Sequence, residues 1–197
     1  MKKFLNKYRI FLLVLILVIS VVLRFFNLSS NPPSLNWDET SIGYNAYSIL
    51  KTGKDEYGNF LPIEFRSFDD YKPPVYVYLT VPSISVFGLT EFGVRFPAAL
   101  FGVLSVIVFY LLLGQVLQKK EGNVRDAVPL IGAFLLAISP WHLQFSRAAY
   151  EGNIGLFFLM LAFYLFFVGL QKKGILIFSV FSFVSPPLDS TKMSPQR

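Results

Sequence analysis

Cysteine is absent from the 197-residue chain, and histidine occurs once, at His142. Without cysteine there is no disulfide framework and no thiol nucleophile. A single histidine, with no second ligand at metal-binding spacing, argues against a zinc centre and is read as an interfacial residue. Charge is also scarce: Asp, Glu, Lys and Arg make up 15% of the chain and are nearly missing from its longest apolar runs. No phosphate-cradling glycine motif, nucleophile elbow, nucleic-acid-binding module or internal repeat occurs.

What is present is apolar surface. Hydrophobic residues account for 54% of the chain and aromatics for 17%, with 22 Phe, too much for a soluble domain of this length. Apolar runs fall at 10–26, 96–117, 127–139 and 154–170, and crossing a hydrocarbon core takes about 17–25 helical residues. The third run reaches that length as 127–142, with Trp141 and His142 at the interface. A partial run at 174–185 leads into a polar, disordered tail over 186–197. The expectation is an all-α, multi-spanning membrane helix bundle occupying 1–185. The first run has a basic lead-in but no small-residue cleavage site after it, which reads as a retained signal anchor. Arg24, near its outer end, is expected to snorkel to the headgroups.

The net charge of +6 is distributed as membrane topology rather than as a nucleic-acid footprint. Lys2, Lys3, Lys7 and Arg9 precede the first run, Lys119, Lys120 and Arg125 separate the second from the third, and Lys172 and Lys173 follow the fourth. Segment 27–95 carries five basic residues against eight acidic ones. Short Lys/Arg-rich loops stay cytoplasmic, which puts the N-terminus and the loops at 118–126 and 171–174 inside, and 27–95 and 140–153 outside. Segment 75–89 is apolar but short and contains Pro82. Reading it as a span would move both basic loops outside, so it is taken as interfacial or re-entrant. Short loops favour a prokaryotic plasma membrane.

Within the outer loop, Asn36 can N-cap a helix starting at Trp37, with Glu39 in the capping-box position and Gly53 as its stop. Ile42, Ala46, Ile49 and Leu50 line one face, predicting a juxtamembrane amphipathic helix lying apolar side down on the membrane. Pro73 and Pro74 then stiffen the chain as it turns back.

Several side chains in these loops can carry chemistry, and each also has a plainer role. Asp38 and Glu39 complement a helix N-terminus, or one of them deprotonates an acceptor. Lys72, pinned before Pro73-Pro74, snorkels or holds a lipid-linked phosphate as a point charge. Arg147 and Glu151, one turn apart, form an i,i+4 ion pair or bind a donor.

Trp37-Asp38-Glu39, Gly43-Tyr44-Asn45-Ala46, Asp70-Tyr71-Lys72-Pro73-Pro74-Val75-Tyr76 and Val94-Arg95-Phe96-Pro97-Ala98-Ala99-Leu100-Phe101-Gly102, in this order, resemble the GT-C glycosyltransferases of the protein O-mannosyltransferase and aminoarabinose-transferase type (glycosyltransferase family 39 type). The resemblance covers roughly 7–170. It implies a polyprenyl-phosphate sugar donor, a protein, lipid or glycan acceptor and inverting transfer at the outer face. It also implies Asp38 as the base with Glu39 in support, Lys72 and Arg147 on the donor phosphate, and Glu151 as the second-loop carboxylate, where the family usually has Asp. A divalent metal is left open and no other cofactor is implied. Family members have a dozen or more spans, so the chain is expected to be part of a longer protein.

Two other classes make different demands on the sequence. A transporter would carry ionisable groups inside its spans, which these runs nearly lack. An inert fragment or scaffold predicts that Asp38 is replaceable without consequence.

Overall fold

The computed structural model describes residues 2–67, 70–118 and 123–172. The partial run at 174–185 and the tail lie outside them. Its elements are α1 (Lys2–Phe25), α2 (Trp37–Thr52), β1 (Phe65–Ser67), β2 (Asp70–Lys72), α3 (Pro74–Phe87), α4 (Glu91–Val116), α5 (Asn123–Ile138), α6 (Pro140–Arg147) and α7 (Glu151–Lys172). The architecture is the expected all-α membrane bundle, with one two-stranded hairpin inserted in the first loop. Among the described residues, three helices are long and apolar enough to cross a bilayer, at Tyr8–Phe25, Glu91–Val116 and Glu151–Leu170. Large apolar side chains such as Phe11, Val14, Val18, Leu135, Leu159 and Phe163 stay exposed on α1, α5 and α7, as lipid-facing surface requires.

α4 is the hub. Ile16 of α1, Val106 and Tyr110 of α4, and Leu130, Ala133 and Ala137 of α5 form one core cluster. Val108 of α4 with Phe157 and Met160 of α7 forms another on the opposite flank. Small residues allow these close approaches: a Cβ built on Gly102 would lie 2.5 Å from Ser146 Cβ and 2.8 Å from Arg24 Nε.

A further sequence expectation is met in the polar segment 36–53. Asn36 caps α2 through a full capping box, Glu39 N–H donating to Asn36 Oδ1 (2.8 Å) and Asn36 N–H to Glu39 Oε2 (3.0 Å). Gly53, at φ 72°, ends the helix in the left-handed conformation that glycine adopts without strain. The apolar face of α2 does not lie on the membrane, however. Ile42, Ala46 and Ile49 are buried against Phe65, Tyr76, Val77 and Ile84, and Val94 of α4 completes the cluster. Periodicity identified the face, and protein rather than lipid covers Ile42, Ala46 and Ile49, while Leu50 stays exposed.

The other departures trace to polar atoms within apolar helices. Arg24 does not snorkel; it is fully buried and donates to the carbonyls of Ala137 (3.1 Å) and Leu136 (3.4 Å), to Ser20 Oγ (2.8 Å) and to His142 Nδ1 (2.7 Å). The reason lies in Pro140, which has no N–H to give the carbonyl of Leu136 four residues back. At that break the chain bends by 55° between α5 and α6, so the apolar run beginning at 127 forms two helices rather than one straight rod. Arg24 fills the gap. His142, expected at the interface, is buried beside it.

α3 (Pro74–Phe87) has 14 residues and begins with Pro at its first turn. It packs between α2 and α4 and is pinned to α4 by Ser83 Oγ, which donates to the carbonyl of Gly93 (2.5 Å), and Tyr76 Oη, which donates to that of Val94 (3.1 Å). Pro97 frees the Gly93 carbonyl by the same mechanism as Pro140.

Candidate active site

The end of α1, the starts of α2, α4 and α7, and α6 meet at one end of the bundle. Glu39 is its anchor and is almost completely buried. Its Oε1 accepts from Arg95 Nε (2.8 Å) and from the Ala149 N–H (3.0 Å), and its Oε2 from Arg95 Nη2 (3.2 Å) and the Asn36 N–H. Arg95 is fully buried and uses all five of its N–H groups, the remaining three going to the carbonyls of Leu28 (3.1 Å), Pro32 (2.8 Å) and Ser34 (2.7 Å). A carboxylate so encircled holds elements in place: Glu39 ties α2 to α4 and to the α6–α7 turn.

Asp38 is one residue away and faces outward. Its side chain is 46% exposed, and its Oδ1 lies 2.7 Å from Lys72 Nζ. Lys72 is delivered by the hairpin, in which Phe65 pairs with Lys72, Arg66 with Tyr71 and Ser67 with Asp70. The buried Phe65 fixes the hairpin on the α2–α3 core, and Pro73 turns the chain into α3 immediately after the lysine. The Lys72 side chain is only 12% exposed, a cation held against protein with its head at an open carboxylate. These two sequence-predicted residues are therefore in direct contact.

Glu151 begins α7, two residues beyond the Ala149 amide bound by Glu39, and is partly buried. Burial pushes the Tyr76 phenol well above its usual range. The charges of Glu39 and Glu151 add to that rise, while a backbone hydrogen bond at Ala98 and the Arg95 charge oppose it.

Arg147 departs from its expected pairing. α6 ends at Arg147 and α7 starts at Glu151, so the two are not one turn apart on a common helix. The Arg147 guanidinium instead donates to the carbonyls of Leu23 (2.6 Å), Arg24 (3.3 Å), Phe26 (2.9 Å), Asn27 (3.4 Å) and Asn31 (2.9 Å), closing the carboxyl end of α1. Cations suit that end of a helix because its last carbonyls lack partners and its dipole is negative there. Burial, followed by the charge of Arg95, lowers the Arg147 pKa. Among the described residues, no three Asp, Glu or His side chains converge as a metal-binding group.

Sequence reasoning missed Arg95 as a structural partner of Glu39. Its signal was a charge one turn inside an apolar helix, which demands a counter-charge.

Residues 71–184 match the model of the dolichyl-phosphate-mannose-protein mannosyltransferase family. The chain belongs to this family. Lys72, Arg95, Arg147 and Glu151 all fall within the matched stretch, whereas Asp38 and Glu39 precede it. The chain is 28% identical over 177 residues to a Bacillus subtilis (strain 168) protein named "Putative mannosyltransferase YkcB", covering 87% of this chain and 22% of that protein. It is 29% identical over 169 residues to an uncharacterized protein of Aquifex aeolicus (strain VF5), covering 85% of this chain and 31% of that one. The chain therefore spans between a fifth and a third of the length of these relatives. No solved structure matches.

Proposed function

We propose that this chain is part of a membrane glycosyltransferase of the GT-C kind, which moves a sugar from a polyprenyl-phosphate carrier to an acceptor hydroxyl at the outer face of the plasma membrane. The observation that carries the proposal is the contact of Asp38 with Lys72, 2.7 Å apart on a site otherwise held rigid by Glu39 and Arg95. An exposed carboxylate touching a partly buried cation supplies both groups that inverting transfer needs. Asp38 removes the acceptor proton as the acceptor oxygen attacks the anomeric carbon. The bond from that carbon to the phosphate oxygen breaks, and its electron pair leaves with the phosphate. Lys72 supplies the positive charge that offsets the charge developing on the leaving phosphate.

In this reading Glu39 is a positioning residue that fixes the first turn of α2. Arg147 would reach a donor phosphate only by giving up some of its carbonyl partners, and Glu151 supplies the second acidic group. The N-terminus is inside, as the positive-inside pattern favours, so the Asp38 end faces out.

The test is release of sugar from a polyprenyl-phosphate sugar, mannose first given the family, by the full-length protein and its Asp38→Asn variant. Loss of a general base costs roughly 100- to 10,000-fold in rate, and that loss is the expected outcome. Equal rates would exclude Asp38 as the base.

A further inference from the structure

Where α1 begins and α4 finishes, side chains of α1, α4 and α7 line a cavity of about 220 Å³, room for about seven waters. Its polar lining comes from Arg9, Tyr110, Gln115, Gln118 and Tyr164, and Leu111 adds an apolar edge. The Arg9 side chain is 35% exposed, so a ligand can reach it.

The donors of this cavity are only partly spent. Arg9 Nε donates to Tyr110 Oη (2.6 Å), and the guanidinium lies over the Tyr110 ring, 5.4 Å from its centroid. Arg9 Nη1 is 3.8 Å from Asp126 Oδ1, too far for a hydrogen bond, and Asp126 does not line the cavity. Arg9 Nη2 has no acceptor among the described residues. Having accepted from Arg9, the Tyr110 hydroxyl still has its own hydrogen to give, and neither it nor the Tyr164 hydroxyl has an acceptor among the described residues. The unspent groups of Arg9 and Tyr110 are therefore donors, one of them cationic, at the two ends of one short hydrogen bond.

We propose that this cavity holds the phosphate of an anionic phospholipid from the adjoining leaflet, Arg9 and Tyr110 donating to its oxygens. An oxyanion is the complement of donors around a cation, and the planar fork of arginine suits phosphate. An ammonium would meet the Arg9 charge instead. The cavity takes a headgroup and not a hydrocarbon chain, but Leu111 at its edge is 39% exposed and Phe163, next to Tyr164 on α7, is 46% exposed, so a chain can lie along that lipid-facing surface. In the sequence Lys2, Lys3 and Lys7 precede Arg9, and Lys119 and Lys120 follow Gln118. Basic residues clustered beside a membrane favour anionic headgroups. Neither Asp38 nor Lys72 contributes to the cavity, so the inference stands apart from the transferase proposal.

The experiment is native mass spectrometry of the full-length protein in detergent, titrated with dioleoyl phosphatidylglycerol or with dioleoylglycerol, which has the same chains and no phosphate. The first phosphatidylglycerol should bind at least about tenfold more tightly than the first dioleoylglycerol, and an excess of inorganic phosphate should leave it bound. Tyr110→Phe removes one donor and keeps the ring beneath Arg9, and should weaken phosphatidylglycerol about tenfold. Gln118 is exposed, so changing its charge leaves the fold intact whatever Tyr110→Phe does to it. Gln118→Glu should weaken phosphatidylglycerol and Gln118→Lys tighten it, each by roughly two- to fivefold, with dioleoylglycerol unaffected. Equal binding of the two lipids, displacement by inorganic phosphate, wild-type affinity in a folded Tyr110→Phe, or one affinity shared by both Gln118 variants would each overturn the inference.

Discussion

Asp38 and Glu39 are neighbours in the chain with opposite surroundings, and the contrast is measurable. Glu39 sits in a ring of four donors, so replacing one carboxylate oxygen with an amide nitrogen points N–H groups at N–H groups. Breaking a buried ion pair from one side costs about 3–5 kcal/mol, and Glu39→Gln should lower the thermal midpoint in detergent accordingly. Asp38 is nearly half exposed, and an exposed pair contributes at most about 1 kcal/mol, so Asp38→Asn should melt almost as the wild type does while losing activity. A destabilised Asp38→Asn with normal turnover would reverse the two assignments. Of this pair, the capping role of Glu39 was legible from Asn36 three residues earlier. Its ion pair with Arg95 was not, because the two are separated by 56 residues and no local period links them.

At the scale of helices, the prolines place the polar contacts. Pro97 and Pro140 each leave a carbonyl four residues back without its helical donor, and each time a side chain from another helix supplies one: Ser83 for Gly93 and Arg24 for Leu136. Arg24 then occupies the space beside Gly102, where α4 meets α1 and α6. Gly102→Ala would push its methyl into Ser146 Cβ and the Arg24 side chain, and overpacking of this kind costs about 1–3 kcal/mol. A lowered thermal midpoint for Gly102→Ala, with Gly152→Ala not lowered because a Cβ there meets nothing within 4 Å, is the expected pattern; equal midpoints for Gly102→Ala and wild type would show that α6 is not held against α4.

Helix existence was readable in the sequence because a bilayer-length apolar run has few alternatives. The hairpin before Lys72 was not, since each strand is three residues long and only Phe65 and Ser67 alternate with an exposed neighbour. The break at Ser139-Pro140 carried an N-cap and proline signal, but hydropathy continued across it into Trp141. The face of α2 was legible and its covering was not, because burial against lipid and burial against α3 call for the same residues.

For the whole molecule, the decisive relation is between its two ends. Arg9 donates to Tyr110 Oη (2.6 Å) and lies 3.8 Å from Asp126, so the start of α1, the later part of α4 and the start of α5 share one end. Glu39, Arg95, Ala149 and Arg147 join the other, where the Asp38–Lys72 pair also sits. The absence of cysteine from this chain makes the arrangement directly testable, since each introduced cysteine is the only thiol within these 197 residues. Tyr57 in the first loop, Gln144 on α6 and Gln118 beyond α4 are all exposed. In the proposed orientation a membrane-impermeant maleimide labels Tyr57→Cys and Gln144→Cys on intact cells, and reaches Gln118→Cys only after permeabilisation. If Gln144→Cys reacted with Gln118→Cys and not with Tyr57→Cys, α6 and the first loop would lie on opposite faces. Asp38 and Glu151 could then not serve one phosphosugar.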